Sequence, residues 1–460
     1  MFFSGYAMIK ALRFTNFKSW SNLNLECGGI TGLFGTNSSG KTSILQFLLL
    51  LKQTKDATDR ALALELNGDY VKLGTIRDVI HNHEDSSEIK WRIKFELSHE
   101  LSLQNPSGGV TSRSRFLSLR ARVGVQSMAT RSRDLSYTLG RARFSLVGRN
   151  TDERSFDLRA EATQDSQDLD FNFVRTKGRP WQLPPPIKSY AFPDQARTYY
   201  QNASFLSDLE ATYEAEIDKI FYLGPLREYP QRDYLWARSR PFDVGQRGEK
   251  TVDAILAATD AGEMRNLRPK ARRLPFQQII AHWLREMGLI DSFNVVELAE
   301  GSNRWQARVR TRPGSSEVLL TDVGFGVSQV LPVVTLLQYV PEGSTVILEQ
   351  PEIHLHPLAQ AGLADVIIQA AAHRNIQIIL ESHSEHLLLR LQRRIAEQTI
   401  SSDIVKLYFC DAPKGDSILT PLNVDSYGNI LNWPDRFMGD AFAETAKAEL
   451  ARLSRMQNTQ

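Results

Sequence analysis

The sequence contains the octapeptide Gly35-Thr36-Asn37-Ser38-Ser39-Gly40-Lys41-Thr42, which follows the pattern G-x-x-x-x-G-K-[ST]. An apolar run at residues 29–34 precedes it and predicts a short buried strand, and residues 43–49 predict the helix that follows. In a strand–loop–helix unit of this kind, the loop N–H groups point inward and the helix N-terminus adds a partial positive charge. The sequence therefore predicts a P-loop, which holds the phosphates of ATP or GTP.

The residue types of the loop suit a nucleotide that is bound with Mg²⁺. Lys41 supplies a positive charge for the β- and γ-phosphates, and the Thr42 hydroxyl is placed to ligate Mg²⁺. The residues that we expect to bind the nucleotide are Gly35, Asn37, Ser38, Ser39, Gly40, Lys41, Thr42 and Ser43. Nothing in this stretch distinguishes adenine from guanine.

Length and composition limit what kind of protein this is. A chain of 460 residues is long enough for two or three domains with a substantial core. Its two cysteines give no disulfide framework and favour a reducing compartment. No apolar run approaches a membrane span, and residues 1–6 lack the basic and apolar regions of a signal peptide. We therefore expect a cytoplasmic protein that does not enter a membrane.

The net charge of +2 hides a strongly basic segment. Nine arginines lie between Arg113 and Arg149, and Asp134 is the one acidic residue among them. Alternation over residues 141–147 predicts a strand with arginines on one face. Such a face either follows a nucleic-acid backbone or is solvated and paired with acidic residues from elsewhere. The residues considered for nucleic-acid contact are Arg120, Arg122, Arg141 and Arg143.

Two further apolar strands end in residues that suit nucleotide chemistry. Residues 344–349 form an apolar run that ends in Glu349, the Walker B arrangement, and a parallel strand next to the P-loop strand would present this carboxylate to Mg²⁺. A second carboxylate, Glu352, follows three residues later. The run at residues 376–380 leads to His383, whose position at a strand end suits a hydrogen bond to the γ-phosphate.

Changes of pattern along the chain divide it into five segments. Residues 1–85 form an N-terminal lobe with the P-loop, and residues 86–203 show short period-two runs that predict a β-rich, arginine-rich insertion. Helical patterns with some strands fill residues 204–315. Residues 316–412 carry the second half of the nucleotide site, and residues 413–460 form a C-terminal extension.

Four ordered motifs carry a resemblance to a known family. They occupy residues 34–42, 222–227, 322–329 and 349–357, and a further match closes the chain at residues 427–434. The chain resembles the ABC-type AAA ATPases related to SMC, RecF and OLD (overcoming lysogenization defect) proteins. Within these it is similar to the compact bacterial group associated with anti-phage defence, such as the Septu and OLD-like ATPase subunits. The resemblance implies an α/β fold: a P-loop ATPase head with a mixed β-sheet, a β-rich insertion and a helical lobe.

The resemblance also implies a nucleotide site that is split between two subunits paired head to tail. One subunit contributes Lys41, Glu349 and His383, and its partner contributes a signature segment, residues 324–329. A glycine-rich turn that enters a helix there would offer backbone N–H groups to the γ-phosphate. The residues of this signature are Gly324, Phe325, Gly326, Ser328 and Gln329. The implied cofactors are ATP and Mg²⁺, with Mg²⁺ held by Thr42 and Glu349.

Two departures from the family pattern bear on hydrolysis and pairing. Most ABC ATPases follow the Walker B carboxylate with a glutamate that polarises the attacking water, and Gln350 stands in that place here. A glutamine can orient a water but cannot take its proton, so either Glu352 acts as the base or hydrolysis is slow. The signature segment lacks the Leu-Ser-Gly-Gly-Gln motif that is usual in the family. The catalytic candidates are Glu349, Gln350, Glu352 and His383.

Three functions fit these features. In the first, the chain is a slowly hydrolysing ATPase that senses a signal and regulates a separate effector, a nuclease, in bacterial anti-phage defence. In the second, it is a DNA-repair or chromosome-associated clamp that grips DNA between ATP-joined subunits. In the third, it is a solitary housekeeping ATPase. The sequence has no second catalytic centre, which favours a separate effector, and no sustained heptad pattern, which disfavours a large clamp.

Overall fold

The computed structural model describes residues 8–83, 88–104, 110–126, 129–148, 155–163, 169, 171–179, 182–268, 270–434, 447–452 and 455. The strands are β1 (Met8–Phe17), β2 (Trp20–Glu26), β3 (Ile30–Gly35), β4 (Ile89–Gln104), β5 (Val110–Gln126), β6 (Ala129–Leu139), β7 (Ala142–Gly148), β8 (Phe156–Ala162), β9 (Ile220–Leu223), β10 (Tyr234–Leu235), β11 (Met264–Arg265), β12 (Leu274–Pro275), β13 (Ser292–Glu297), β14 (Arg304–Arg310), β15 (Val318–Leu319), β16 (Thr345–Glu349), β17 (Gln377–Glu381), β18 (Val405–Asp411) and β19 (Ile418–Leu422).

The α-helices are α1 (Lys41–Asp56), α2 (Ile76–Val79), α3 (Asp194–Tyr199), α4 (Leu206–Asp218), α5 (Thr251–Asp260), α6 (Phe276–Glu286), α7 (Phe325–Tyr339), α8 (Pro357–Arg374) and α9 (Glu385–Ala396). Short 3₁₀ turns occur at His81–His83, Leu320–Asp322 and Ser402–Ile404. In the part of the chain that is described, no helix is both long enough and apolar enough to cross a bilayer.

A six-stranded sheet carries the nucleotide motifs. Its order is β19-β18-β3-β17-β16-β9, and all neighbouring pairs are parallel except β18 with β19, which is antiparallel at the edge. Strands β16 and β17 are buried along their whole length, as expected for parallel strands that are covered on both faces. The carboxyl ends of β3, β17 and β16 therefore meet at one edge, where ligands bind in open α/β sheets. The expected α/β fold with a mixed sheet is confirmed.

The order of these strands corrects one expectation. The Walker B strand β16 does not lie next to the P-loop strand β3, because β17 lies between them and pairs with both. The apolar sequence of each strand shows that the strand is buried, but it does not show with which other strand it pairs. The carboxylate that ends β17, between β3 and β16, is Glu381, and Glu349 lies one strand further from β3.

A seven-stranded antiparallel sheet, in the order β2-β1-β4-β5-β6-β7-β8, lies on the other side of α1. It joins strands of the predicted segment 1–85 with strands of the predicted insertion 86–203 in one hydrogen-bonded unit, and the five segment boundaries stay a prediction. Its side chains alternate between a buried apolar face and a polar outer face, as one-sided antiparallel sheets do.

The first core lies between the two sheets and is centred on helix α1. The Phe47 ring of α1 stacks on Phe14 of β1 at 4.5 Å and meets Trp91 of β4 edge to face at 5.8 Å. All three side chains are buried. Phe47→Ala would cost about 3–5 kcal/mol of the free energy of unfolding, which is typical for an emptied phenylalanine site in a core. This packing fixes α1, and with it the P-loop, against the seven-stranded sheet.

A second core lies on the opposite face of the six-stranded sheet. Helices α5 to α9 contribute to it, together with the small sheet in which β14 pairs with β10, β13 and β15. Helix α7 is buried from Val327 to Tyr339, but its N-terminal residues Phe325 and Gly326 reach the surface. The predicted signature segment therefore lies where a buried helix begins at the surface.

Candidate active site

The P-loop passes from β3 into α1 through backbone conformations that need glycine at two positions. Gly35 has a φ of 142°, and a Cβ atom there would lie 2.0 Å from the carbonyl oxygen of Cys410. Gly40 has a φ of 87° at the start of α1, and the Trp20 indole donates a 3.0 Å hydrogen bond to its carbonyl oxygen. Ser38 is left-handed as well, with a φ of 61°. These contacts fix the course of the loop.

The side chains of the loop fall into an exposed group and a buried group. Asn37 and Ser38 are exposed, Thr42 and Ser43 are half-buried in the first turn of α1, and Ser39 is buried. This arrangement leaves the N–H groups at the α1 N-terminus without partners inside the helix, as in anion sites of this kind.

Lys41 is only 3% exposed and folds back over the loop. Its Nζ donates hydrogen bonds to the carbonyl oxygens of Gly35 at 3.2 Å and Thr36 at 2.6 Å. Burial lowers the pKa of Lys41, and the negative charge of Glu381 acts in the opposite direction. The lysine thus lies inside the loop, where a neighbouring charge is poorly screened by solvent.

Thr42 is bonded to a carboxylate that the sequence analysis did not include in the site. Its Oγ1 donates a 2.8 Å hydrogen bond to Glu381 Oε2, across 339 positions of sequence. Burial raises the pKa of the Glu381 carboxyl, and the Thr42 hydrogen bond and the Lys41 charge oppose that rise. One signal was present, because Glu381 ends an apolar strand in the same manner as Glu349, but only the strand order identifies it as the neighbour of the P-loop.

Glu349 is held mainly by residues from β9 and the loop that follows it. The Tyr222 hydroxyl donates a 3.0 Å hydrogen bond to Glu349 Oε1, and Arg227 Nη2 donates one of 3.4 Å to the Glu349 carbonyl oxygen. Glu349 and Glu381 are register neighbours on adjacent parallel strands. Burial, with the Glu381 charge second, raises the pKa of Glu349 to about 7, against the opposing effects of Tyr222 and Arg227.

Arg227 is a further member of the site, from the loop that follows β9. The guanidinium is 5% exposed, and its Nε and Nη1 atoms have no hydrogen-bond partner among the described residues. Burial lowers the pKa of Arg227 to about 10, while Tyr222, Glu349 and Glu352 act to raise it. Arg227 is thus a buried positive charge near the carboxylates of Glu349 and Glu352.

Glu352 and His383 lie together at the same edge of the sheet. Glu352 Oε1 accepts hydrogen bonds from the Ser382 hydroxyl and from the His383 backbone N–H, each 2.7 Å long. Glu352 Oε2 is buried and accepts no hydrogen bond from another described residue. Burial raises the pKa of Glu352. For the imidazole of His383, burial and then Lys41 lower the pKa, and a hydrogen bond to the Gly35 backbone opposes this, so the ring lies beside the P-loop.

Gln350 occupies a strained backbone position between these groups. It has a φ of 43°, in the left-handed region that non-glycine residues rarely adopt, and its N–H donates a 2.9 Å hydrogen bond to the Glu381 carbonyl oxygen. Strain of this kind is common at functional sites. The backbone at Gln350 therefore ties the end of β16 to the end of β17.

The predicted signature residues lie on and before the first turn of α7, where they have unequal exposure. Gly324 and Phe325 are exposed, and Phe325 contacts Tyr229 at 5.6 Å and His354 at 5.0 Å between ring centroids. Ser328 is buried and its hydroxyl donates a 2.8 Å hydrogen bond to the Phe325 carbonyl oxygen. Gln329 is buried too. Gly324, Phe325 and the half-buried Gly326 are therefore the signature residues at the surface.

The oxygen donors at the P-loop suit a hard divalent cation. Mg²⁺ in nucleotide sites is held by one or two carboxylates together with phosphate oxygens and waters. The Thr42 hydroxyl, Glu381 and Glu349 supply such oxygens at one sheet edge, next to the loop that would hold the phosphates. When bound, Mg²⁺ would neutralise phosphate charge there.

A second candidate region, the arginine face, lies on the polar outer side of the seven-stranded sheet. We define it as Arg13 of β1, Arg92 of β4, Arg120 of β5 and Arg143 of β7. The strand register places Arg92 opposite both Arg13 and Arg120. Within the described ranges, none of the four forms an ion pair with a carboxylate. Burial, followed by the charges of the other three arginines, lowers the pKa of Arg92.

A groove of about 320 Å³ runs over the arginine face. Lys90 joins the four arginines in lining it, and none of the described residues that line it is acidic. An adjoining groove of about 380 Å³ shares Arg92 and Arg143 and adds Lys94. Like charges directly opposite each other destabilise a sheet, so this arrangement is not explained by the stability of the fold.

The four arginines predicted to contact nucleic acid do not form one group. Arg120 and Arg143 belong to the arginine face, whereas Arg122 forms ion pairs with Asp134 at 2.6 Å and Glu88 at 3.4 Å. Arg141 is exposed but lies in the turn before β7 and not within a strand. Arg149 lies outside the described residues. Sequence reasoning missed Arg13 and Arg92 because they lie far from the arginine-rich segment in the chain.

Comparisons with known proteins bear on the whole chain. A family model described as "AAA domain, putative AbiEii toxin, Type IV TA system" matches residues 30–390, and one described as "Protein of unknown function (DUF3696)" matches residues 400–447. No curated protein matches the chain.

Three solved structures of SMC heads are similar at low identity. The SMC head bound to the C-winged helix domain of ScpA is 12% identical with a TM-score of 0.44, over 91% of this chain and 98% of that one. The SMC head domain from Thermotoga maritima is 9% identical with a TM-score of 0.41, over 90% and 99%. The SMC head with an extended coiled coil bound to the C-terminal domain of ScpA, derived from Pyrococcus furiosus, is 10% identical with a TM-score of 0.43, over 91% and 96%.

Proposed function

The chain belongs to the family of AAA domains described as putative AbiEii toxins of type IV toxin–antitoxin systems, and we propose that it is an ATP-dependent sensor that regulates a separate effector in bacterial anti-phage defence. The resemblance to ABC-type AAA ATPases is confirmed by this membership, which covers the P-loop and every catalytic candidate. As a member, the chain is an ATPase of the AAA type. The description of the family as a putative toxin of a type IV toxin–antitoxin system supports the defence role.

One observation carries the proposal: the P-loop, two carboxylates and a histidine converge at one edge of the six-stranded sheet. Lys41 lies inside the loop, Thr42 is bonded to Glu381, and the His383 ring lies beside Gly35. ATP would bind with its phosphates along the N-terminus of α1, together with Mg²⁺. This geometry supports ATP binding at residues 35–43 as the input of the switch.

We infer that hydrolysis is slow. Gln350 follows Glu349 where a base would be expected, and an amide can orient a water but cannot take its proton. The alternative is that Glu352 acts as the base, and its raised pKa and an oxygen without a partner among the described residues suit that role. Glu352 is also held by Ser382 and by the His383 backbone, so a base that acts from there does so beside the residue proposed to sense the γ-phosphate.

We infer further that ATP joins two copies head to tail. The exposed N-terminus of α7 at Gly324 and Phe325 supports this arrangement, because Gly324 carries no side chain and the space beside its Cα is open. A dimer of this kind would persist while hydrolysis is slow, which gives the effector a lasting signal.

The arginine face supports a nucleic acid as the sensed ligand. Among the described residues, five cations and no carboxylate line its groove, and such a surface attracts a phosphate backbone irrespective of its sequence. The same observation favours the second candidate function, a clamp that grips DNA between ATP-joined subunits. The two differ in outcome, because a sensor passes the signal to an effector and a clamp acts on the DNA that it holds.

A phage-challenge assay tests the defence proposal. Cells would carry the chain with its genomic neighbours, either as wild type, as Lys41→Ala, or as the control Lys72→Ala, which changes an exposed lysine outside the site. We expect protection with wild type and Lys72→Ala and loss of protection with Lys41→Ala. Protection that persists in Lys41→Ala contradicts an ATP-dependent sensor. Two results together would support the clamp instead: the wild-type chain gives no protection against phage, and deletion of its gene makes cells more sensitive to DNA damage.

A further inference from the structure

Glu381 touches the P-loop in a way that no other described carboxylate does. It ends β17, one of the two strands that pair with the P-loop strand β3, and it is 3% exposed. Its Oε2 accepts the 2.8 Å hydrogen bond from Thr42 Oγ1, and it is also the acidic group that most strongly raises the pKa of Lys41. Glu381 is therefore linked to both functional side chains at the start of α1.

The direction of the Thr42 bond decides what the hydroxyl can do. A hydroxyl has one proton to donate and two lone pairs that accept. Because the proton of Thr42 goes to Glu381, the lone pairs stay available to a cation, and the bond fixes the direction in which they point. Mg²⁺ demands near-ideal octahedral geometry, so the orientation of a single ligand atom affects its affinity.

Glu349 is engaged differently, although it is the register neighbour of Glu381. Its Oε1 accepts from Tyr222, and its main chain accepts from Arg227, both from the side of β9. The two carboxylates thus hold different partners: Glu381 holds the P-loop threonine, and Glu349 holds the tyrosine of the strand on the far side.

We propose that Glu381 is a positioning residue of the nucleotide site, which orients the Thr42 hydroxyl toward the divalent cation and thereby sets the affinity of the nucleotide-bound site for Mg²⁺. The proposal rests on the proposed ATP-binding function. It assigns to the end of β17 a role that the sequence pattern assigns to the Walker B strand β16. Glu381 acts through Thr42, so the two residues must be coupled.

The test measures how much Mg²⁺ strengthens nucleotide binding. Fluorescent N-methylanthraniloyl-ADP is titrated into the full chain in EDTA and again in excess Mg²⁺, and the ratio of the two affinities is the Mg²⁺ gain. In Glu381→Gln we expect this gain to fall by about 10- to 100-fold, the usual effect of removing a residue that orients a metal ligand. Affinity in EDTA should be retained or rise, because a negative charge has left the neighbourhood of the phosphates.

A double-mutant cycle separates positioning from a general structural effect. If Glu381 acts through Thr42, Glu381→Gln has no further effect on the Mg²⁺ gain in a Thr42→Val background. The electron paramagnetic resonance spectrum of Mn²⁺ bound with ADP should also differ between wild type and Glu381→Gln. Glu385→Gln is the matched control, because Glu385 is an exposed acid four residues further on, and it should leave the gain unchanged.

The outcomes are distinct. A Mg²⁺ gain in Glu381→Gln equal to that of wild type overturns the proposal, and so does an effect that persists undiminished in the Thr42→Val background. Should Glu381→Gln fail to fold, Glu381→Asp keeps the charge but cannot reach Thr42 from the same backbone, and an undiminished gain in that variant overturns the proposal as well. A wild-type chain that binds the nucleotide in neither buffer overturns the proposed function itself.

Discussion

The Tyr222 hydroxyl donates a 3.0 Å hydrogen bond to Glu349 Oε1 and joins the end of β16 to the neighbouring strand β9. This bond supports the ionised form of a carboxyl whose pKa is raised to about 7 by burial and by the nearby Glu381. Tyr222→Phe leaves a buried oxygen without its donor, so we expect a loss of about 1–3 kcal/mol in the free energy of unfolding.

The loss in Tyr222→Phe should depend on pH. The folded pKa of Glu349 lies above its unfolded value of 4.5, so the folded state holds the proton more tightly and this group's contribution to stability falls as pH rises through about 7. Without the Tyr222 hydroxyl, the ionised form of Glu349 is still less favourable in the folded state. The loss in the free energy of unfolding should therefore be larger at pH 8 than at pH 5.5. Urea unfolding at both pH values checks this. Tyr408→Phe, which removes a hydrogen bond to the Glu26 carbonyl, is the control and should not show the difference.

The rate of ATP hydrolysis should change when Gln350 or Glu352 is substituted. Gln350→Glu places a carboxylate where ABC ATPases have one and should raise the steady-state rate, whereas Glu352→Gln should abolish turnover if Glu352 is the base. General-base catalysis is typically worth about 10²- to 10⁴-fold. Phosphate release measured for both variants decides between these roles. If neither changes the rate while Glu349→Gln does, a different group activates the water.

ATP-dependent pairing should be blocked by a bulky residue at the α7 N-terminus. Gly324 is exposed, and a Cβ atom there would meet nothing within 4 Å. Gly324→Trp therefore fits the single chain but would obstruct a second P-loop. Gly326→Trp would also crowd the single chain, because a Cβ atom at Gly326 would lie 3.2 Å from the His354 carbonyl oxygen.

Sedimentation of Gly324→Trp with and without ATP measures this effect. The variant should stay monomeric under conditions in which ATP joins the wild type, and Glu300→Trp, in the exposed turn after β13, should pair like the wild type. Normal ATP-dependent association of Gly324→Trp would show that residues 324–329 do not face the nucleotide of a partner.

The arginine face should bind duplex DNA with a steep dependence on salt. Each phosphate that is neutralised contributes about −0.9 to the slope of log K against log salt. Changing Arg13, Arg92, Arg120 and Arg143 together to glutamate should therefore flatten the slope by about 3–4 and leave ATP binding intact. Arg113→Glu with Arg115→Glu is the control, because these two arginines lie near Glu100 and Glu96. Wild-type protein that binds no DNA at low salt would retire the nucleic-acid hypothesis in favour of an acidic protein partner.

The local parts of the site were predictable from the sequence. The P-loop, the helix that follows it and the apolar strands that end in Glu349 and before His383 each lie within a few consecutive residues, and period and residue type are enough to place them. The fold class came from the resemblance that these motifs carry, and the mainly parallel six-stranded sheet agrees with it.

The partners of these residues were not predictable, because they depend on strand order. Thr42 and Glu381 are 339 positions apart, and Tyr222 and Glu349 are 127 apart. The position of β17 between β3 and β16 brings Glu381, and not Glu349, to the P-loop. The arginine face shows the same limit, since pairing of β1, β4 and β5 brings Arg13 and Arg92 beside Arg120.

Calorimetric titration of Mg·ATP into the wild type and Lys41→Ala measures whether the P-loop binds ATP. Lys41 Nζ now bonds the Gly35 and Thr36 carbonyls and would exchange these for phosphate oxygens. A charge-assisted contact of this kind is worth about 1.5–3 kcal/mol. We therefore expect the affinity for Mg·ATP to be at least about 10-fold weaker in Lys41→Ala and unchanged in Lys72→Ala. Equal affinity in the wild type and Lys41→Ala would contradict it.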